Sequence, residues 1–494
     1  MAQKEQQRER LLSLFQKVCS IPRQTGDEEG ISRFLMEFAR ARGLAAERDS
    51  HNNVLIRKPS AIPGYRGPVV MVQGHMDMVY EKASGSTHRY EDGIRVVAQD
   101  GYLMSAGQTS LGADNGLAVA YVLDLLERED LQLPSLECLI TTGEEVGLEG
   151  VKNLELTGVE STYLINLDAE EEGVFFTSCA GGVRTDLSLP LEYRTAVEET
   201  GITLRLKGLS GGHSGLDIAL GRANAIKLLG KILRRVSPMA RISYLESPGK
   251  ANAIASKGVI CMHTSKSGKD GLLRQLESLK DDFSREFGEW ETVDFEISVE
   301  EGAKETAVLT EKTVQAIIQA ITFLPYGVIS RTRENLEMVQ TSSNIGDMTI
   351  RGGRLVFLCS SRSSVKHEKE ALKEYMQILA ETLGMEWEFH GDYPQWEYKR
   401  DSRLREICQR VYRRYAGKEA VFTGIHAGIE CGYLSEKFGS HIDMISCGAN
   451  LYDVHTPRER ADLESFYRME EILIQILEEI SKESVLFRQG ESVG

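Results

Sequence analysis

Apolar and polar positions along this chain follow two alternating periods. Over residues 5–18 the spacing is helical, with Leu11, Leu12, Leu14, Phe15 and Val18 on one side. A second helix is predicted from Gly30 to Arg42 and ends at Gly43. Short aliphatic runs at 54–57, 68–73, 136–142, 163–167 and 441–447 read instead as buried strands. Residues 90–103 read as a hairpin region, with Asp-Gly turns at Asp92-Gly93 and Asp100-Gly101. Residues 116–127 are apolar on most sides and predict a buried helix. Further helices are predicted at 403–415, 428–438 and 463–483, with a strand at 420–423. Aliphatic strands alternating with helices imply a mixed, mostly parallel sheet flanked by helices, an α/β architecture.

Between these two stretches the pattern changes. From about residue 186 the predicted order is strand 201–207, helix 217–236, strands 241–247 and 257–263, and helix 270–286. The same order follows in strand 293–300, helix 308–322, strands 337–342 and 354–360, and helix 366–384. The turn Asn252-Ala253-Ile254 has its counterpart in Asn344-Ile345-Gly346. This is a duplicated βαββα unit with a period of about ninety residues. The expected organisation is an α/β domain in two parts, residues 1–185 and 392–494, with an α+β domain inserted over 186–391.

At 494 residues the chain exceeds one ordinary core. Its formal charge of -16 disfavours nucleic acid as a partner. The eight cysteines form no CxxC pair and fall mostly in apolar stretches, which suits reduced thiols in the cytoplasm. The first ten residues are polar and lack the pattern of a signal peptide. No run approaches the ~18 apolar residues of a membrane span, so no membrane partner is expected.

Candidate chemistry sits where the predicted strands end. Gly74-His75-Met76-Asp77, Thr142-Gly143-Glu144-Glu145 and Asn166-Leu167-Asp168 each follow a strand. Gly112-Ala113-Asp114-Asn115-Gly116 opens the buried helix, and Asp453-Val454-His455-Thr456-Pro457 lies in a late polar loop. Ligands of open α/β sheets bind beyond the carboxyl ends of the strands, so these groups can converge. Neutral imidazole with several carboxylates suits divalent zinc, manganese or cobalt. Taken singly, each has an ordinary reading: His75 a structural histidine, Asp114 a helix cap, Glu144-Glu145 a solvated loop. Their joint recurrence favours the metal. His75 and Asp77, two apart on an extended chain, face the same way, so one can ligate while the other orients it. Of Glu144 and Glu145, one suits a ligand and the other a base. His213, in the glycine-rich turn 208–215, could donate to a developing oxyanion. HExxH, GxSxG, Walker A and GxGxxG patterns are absent from the sequence.

In order, GHMDM, GADNG, TGEEVGLEG, NLD, GGHSG and DVHTP resemble the M20 metallopeptidase family over essentially the whole chain. SCAGG, GGHSGLDI, GKANAIAS and HAGIECG resemble its Xaa-His dipeptidase branch. The resemblance implies a zinc-peptidase fold with an inserted lid and two divalent ions, zinc first, with manganese or cobalt as alternatives. Asp114 would bridge them, with His75 and Asp168 completing one site and Glu145 and His455 the other. Glu144 would be the general base and Asp77 the carboxylate behind the ligands. His213 would be the lid histidine, and Asn252, Arg362 and Gly428 would hold substrate. A cis peptide is implied at Asp114-Asn115.

Three functions remain open at this point. One is a di-metal dipeptidase preferring Xaa-His substrates such as carnosine. Another is a tripeptide aminopeptidase or N-acyl amino acid deacylase of the same family. The third is a non-catalytic metal-binding or scaffold protein. A small peptide is the expected partner, and the chain would be a monomer or homodimer.

Overall fold

An eight-stranded sheet carries the first half of the architecture. Its strands run, edge to edge, Ala45–Arg48, Val54–Lys58, Ser135–Thr141, Val69–His75, Tyr163–Asn166, Asp443–Ser446, Val174–Cys179 and Val421–Ile425. The four middle strands, from Ser135–Thr141 to Asp443–Ser446, are parallel to one another. Val69–His75 and Ser135–Thr141 are almost wholly buried, as expected of strands covered on both faces. The structure, a computed structural model, describes residues 2–333, 335–439 and 441–490.

Helix Ala113–Glu127 is buried nearly all round, which accounts for its lack of a polar face. Against it pack Leu11, Phe15 and Val18 of helix Ala2–Cys19 and Phe466 of the last helix, Leu463–Gly490. The Phe466 ring lies 5.8 Å from Phe15 and 5.4 Å from Tyr121. A small second sheet, Leu451–Tyr452, Arg460–Asp462, Tyr102–Ser105 and Val96–Gln99, fixes the 453–459 loop. Asp100-Gly101 forms the turn expected there, whereas Asp92-Gly93 closes a short 3-10 helix, Tyr90–Asp92.

The chain divides into two compact units. One holds the residues up to Cys179, Tyr398–Gly424 and those from Ile429 on; the other holds Ala180–Glu397 and Ile425–Gly428. The second unit contains a four-stranded sheet, in the order Arg241–Glu246, Gly258–Thr264, Tyr193–Lys207, Asp294–Leu309, and a five-stranded sheet, in the order Gly327–Arg331, Val339–Arg351, Arg354–Ser363, Gly181–Pro190, Glu386–Tyr393. All pairings within both sheets are antiparallel. A bridge between Ser247 and Met348 joins the two sheets at their edges, and one apolar core runs under both.

The duplicated unit is present, but its copies are interleaved. The strand expected at 293–300 to open the second copy instead closes the first sheet. It runs as Asp294–Leu309 beside Tyr193–Lys207. The second copy opens earlier, with Gly181–Pro190, and resumes at helix Glu311–Phe323. Each copy therefore carries a further closing strand, giving βαββαβ in the first, while the second also has the short edge strand Gly327–Arg331. The helix expected over 217–236 starts only at Ala225, where the Asn224 side chain accepts from the N–H groups of Ile226 and Lys227.

Candidate metal centre and its surroundings

Three parallel strands deliver their following residues to one edge. His75 ends Val69–His75, Glu144 and Glu145 follow Ser135–Thr141, and Asp168 follows Tyr163–Asn166. Asp114 stands at the start of helix Ala113–Glu127, whose first turn is kinked, and its peptide to Asn115 is cis. Asn115 ties these segments together. Its Oδ1 accepts from the His75 N–H at 3.2 Å, and its Nδ2 donates to the Leu167 carbonyl at 2.7 Å. His455 arrives on the late loop with a left-handed backbone, φ 59°.

The two oxygens of Asp114 face different histidines. Oδ1 lies 3.2 Å from His75 Nε2, and Oδ2 lies 3.1 Å from His455 Nε2. His75 Nε2 is also 3.4 Å from Asp168 Oδ1, and His455 Nε2 is 3.0 Å from Glu145 Oε1. His75, Asp114 and Asp168 therefore form one triad, and Asp114, Glu145 and His455 another. Glu144 joins His75 and Glu145 in a third group of the same closeness. Asp77 lies behind His75, its Oδ1 3.3 Å from Nδ1. It also accepts from the Thr25 hydroxyl at 2.9 Å and from the N–H groups of Glu144 and Glu145 at 3.1 and 3.3 Å.

These spacings suit metal ions. Ligand atoms ~2.0–2.1 Å from a tetrahedral ion stand roughly 3.3 Å from one another, close to the separations seen in both triads. The charge balance agrees. Burial pushes the Asp168 carboxyl up to about 6, and neighbouring Asp114 and Glu145 push the same way against His75. Glu144 is raised well above the usual carboxylate range, by burial first and by Asp168, Glu430 and Asp114 after it. His455, bonded to Asp114 and Glu145, is pushed up to about 11. Burial lowers the proton affinity of His75, yet Asp168, Asp114 and Asp77 outweigh it and raise the imidazole well above its ordinary value. The site thus gathers more negative charge than its imidazoles can balance, and divalent cations would relieve that excess. Among the described residues, His75, Asp114, Glu144, Glu145, Asp168 and His455 make up the groups close enough to hold an ion, and together they can hold two.

Three further residues shape this centre without having stood out in the sequence. Arg23 is fully buried and donates to the carbonyls of Met76 (2.9 Å), Asp77 (3.2 Å) and Gly112. A buried guanidinium is costly unless paired, and here its partners are the two loops bearing His75 and Asp114. Glu430, also buried, accepts from the Thr141 hydroxyl at 2.8 Å and from Gln73. Glu459 accepts from backbone N–H groups of the Asp114 loop.

His213, Asn252, Arg362 and Gly428 belong to the second unit, where they cluster. His213 Nδ1 accepts from the N–H groups of Gly215 (3.2 Å) and Leu216 (3.1 Å), so the ring proton sits on Nε2. Burial, then Arg362, lower its proton affinity and keep it neutral. Ser214 N–H donates to the Asn252 carbonyl at 2.9 Å, and the Asn252 side chain is on an exposed residue. Arg362 Nη1 donates to the Tyr393 hydroxyl at 2.6 Å, while its buried Nε has no hydrogen-bond partner. A Cβ on Gly428 would meet the Tyr393 ring at 2.6 Å, and one on Gly215 would lie 3.2 Å from both Arg362 Nε and His213 Cε1. Glycine at both positions allows this close packing around Tyr393, Arg362 and His213.

Comparison with known proteins agrees with this geometry. Residues 71–479 match the family model described as peptidase family M20/M25/M40. The chain is 31% identical over 475 residues to the cytosol non-specific dipeptidase of Escherichia coli K12, covering 95% of this chain and 97% of that one. The crystal structure of aminoacylhistidine dipeptidase from Vibrio alginolyticus is similar with a TM-score of 0.88 and 29% identity, covering 95% of this chain and 96% of that one. The aminopeptidase PepT from Bacillus cereus ATCC 10987 shares the fold, with a TM-score of 0.60 and 17% identity over 96% of this chain and 99% of that one. From the strand-end carboxylates to the late histidine, the matched span takes in every candidate metal ligand, and the chain belongs to the M20 peptidase family of hydrolases.

Proposed function

We propose that the chain is a two-metal dipeptidase with a preference for Xaa-His substrates such as carnosine. The observation that carries this reading is Asp114, whose two oxygens face His75 at 3.2 Å and His455 at 3.1 Å. Such an arrangement supports a carboxylate that two half-sites would share. His75 and Asp168 would complete one, Glu145 and His455 the other, with zinc the first choice and manganese or cobalt alternatives. Bound there, two divalent ions would activate water and polarise the scissile carbonyl.

The remaining steps belong to the chain's own groups. Glu144, grouped with His75 and Glu145 yet outside both triads, would take the proton of the attacking water and return it to the leaving amine. Burial works against the charge of Asp77, but His75, Thr25 and the Glu144 N–H outweigh it and hold the carboxyl below its usual range. Asp77 therefore stays ionised and keeps the His75 ring and the Glu144-Glu145 turn in place. His213, neutral with its proton on Nε2, would donate to the developing oxyanion. Arg362 would take the free carboxylate of a short peptide, an acceptor its unpartnered Nε lacks. Asn252 and Gly428 would line the substrate beside it.

A cytoplasmic location is supported by the name of the E. coli relative. Among the described residues no helix is long and apolar enough to cross a membrane. The chain would act as a monomer or homodimer on small peptides. The decisive test is a hydrolysis panel of carnosine, other dipeptides, tripeptides and N-acyl amino acids at defined zinc, manganese or cobalt. Dipeptides should be cleaved fastest, Xaa-His among the best. Faster cleavage of tripeptides would move the reading to a tripeptide aminopeptidase, and of acyl amino acids to a deacylase. Metal uptake without hydrolysis would leave a metal-binding scaffold.

A further inference from the structure

Glu459 sits four residues beyond His455 and is only 3% exposed. Its carboxylate faces a row of backbone N–H groups rather than a cation. Oε2 accepts from Leu111 N (2.8 Å) and Gly112 N (3.0 Å). Oε1 accepts from Ala113 N (2.7 Å) and Asp114 N (3.3 Å). These donors lead into helix Ala113–Glu127, where the helix leaves N–H groups without internal partners and favours negative charge. The turn they form needs Gly112 at φ 70°, which lets successive N–H groups converge on one anion. On its other side the same turn gives the Gly112 carbonyl to Arg23. The backbone of Asp114 is thus held between a buried anion and a buried cation.

The anion belongs to the loop that carries His455. Glu459 N–H donates to the Thr456 carbonyl at 3.0 Å, so the turn between the two residues is closed. The Asp114–His455 pair therefore hangs on Glu459 from both ends. The His75–Asp114 pair hangs on it from one end, since Asn115 and Arg23 hold the His75 side. We infer that Glu459 is a positioning residue for the metal centre, and that it sets the half-site of Asp114, Glu145 and His455 more strongly than the half-site of His75, Asp114 and Asp168. The inference rests on the two-metal reading proposed above and adds to it a residue that makes the two sites unequal.

The substitution Glu459→Gln keeps the shape but turns one oxygen into a donor, leaving two of the four N–H groups without an acceptor. Glu459→Asp keeps both oxygens at shorter reach. Metal-stripped wild type and both variants would be titrated with zinc against a chromophoric chelator, with thermal unfolding and dipeptide kcat and KM measured alongside. Wild type should take up two ions per chain. Glu459→Gln should bind one ion as wild type does and the other about ten- to a hundredfold more weakly, as loss of an outer ligand-orienting group does. Its kcat should fall with little change in KM, and Glu459→Asp should recover part of both losses. Should Glu459→Gln fail to fold, Glu459→Asp should show the same selective weakening, smaller in size. A lowered unfolding temperature with both ions bound as in wild type would make Glu459 purely structural and overturn the inference, as would equal weakening of both ions. A wild-type chain that takes up fewer than two ions would overturn the two-metal reading itself, and this inference with it.

Discussion

Glu144 and Glu145 are adjacent in sequence but differently placed, and the proposed function gives them different tasks. Glu145 meets His455 at 3.0 Å in one triad, whereas Glu144 stands outside both triads, grouped with His75 and Glu145. Glu144→Gln keeps the shape and removes the base, so turnover should drop ~10²–10⁴-fold while both ions are retained, as metal analysis of the purified variant would register. If Glu144→Gln loses metal and Glu145→Gln does not, the roles are reversed. Arg362 allows a second residue-level test. Lysine keeps the charge but loses the planar fork. Arg362→Lys should therefore raise KM for dipeptides at least tenfold and lower kcat less, in steady-state kinetics. An unchanged KM would remove Arg362 from substrate binding. The candidate ligands His75, Glu145 and Asp168 were legible in the sequence because each follows a strand in a short motif, whereas Arg362 entered only through the family resemblance. Arg23, Glu430 and Glu459 were not legible. Their partners are mostly backbone groups or neutral side chains tens to hundreds of positions away, and nothing in the local sequence separates such a residue from a surface charge.

At the scale of elements, the close fit of strand Val69–His75 against helix Ala113–Glu127 aligns two of the candidate ligands, His75 and Asp114. Gly74 makes that approach possible, since a Cβ there would lie 2.4 Å from Asn115 Oδ1 and 2.7 Å from Ala118 Cβ. Gly74→Ala should push the helix start away from the strand and move Asp114 off His75. The expected result is ~1–3 kcal/mol of lost stability from overpacking, together with weaker metal binding, read by denaturant unfolding and chelator competition. Unchanged metal affinity at reduced stability would mean that the strand–helix spacing does not set the site. The central strands were readable because residues buried on both faces form continuous aliphatic runs. Strand Asp294–Leu309 was assigned to the wrong copy because most of its length is exposed, so its pattern carries no register. Its partner Tyr193–Lys207 is just as exposed through its first half, and only the pairing reveals the long ribbon.

For the whole molecule, the repeat order was visible while its interleaving was not. Helix and strand spacing is local, whereas the pairing of Gly181–Pro190 with Arg354–Ser363 joins segments separated by the entire first copy. The metal centre likewise depends on closure over the full length, because His455 meets Asp114 across 341 positions. That closure links metal to folding. Ions that bind only the folded site stabilise it by mass action, so stripping them should lower the unfolding temperature, and returning them should restore it in a concentration-dependent way. A calorimetric scan indifferent to metal would contradict the site.

The most direct test of the central claim is a single titration in which zinc, manganese or cobalt is returned stepwise to metal-stripped protein while dipeptide hydrolysis is followed. The proposed function predicts negligible turnover at zero metal and full turnover as two ions per chain are bound. Hydrolysis that persists through stripping, or that stays absent with two ions bound, would contradict it.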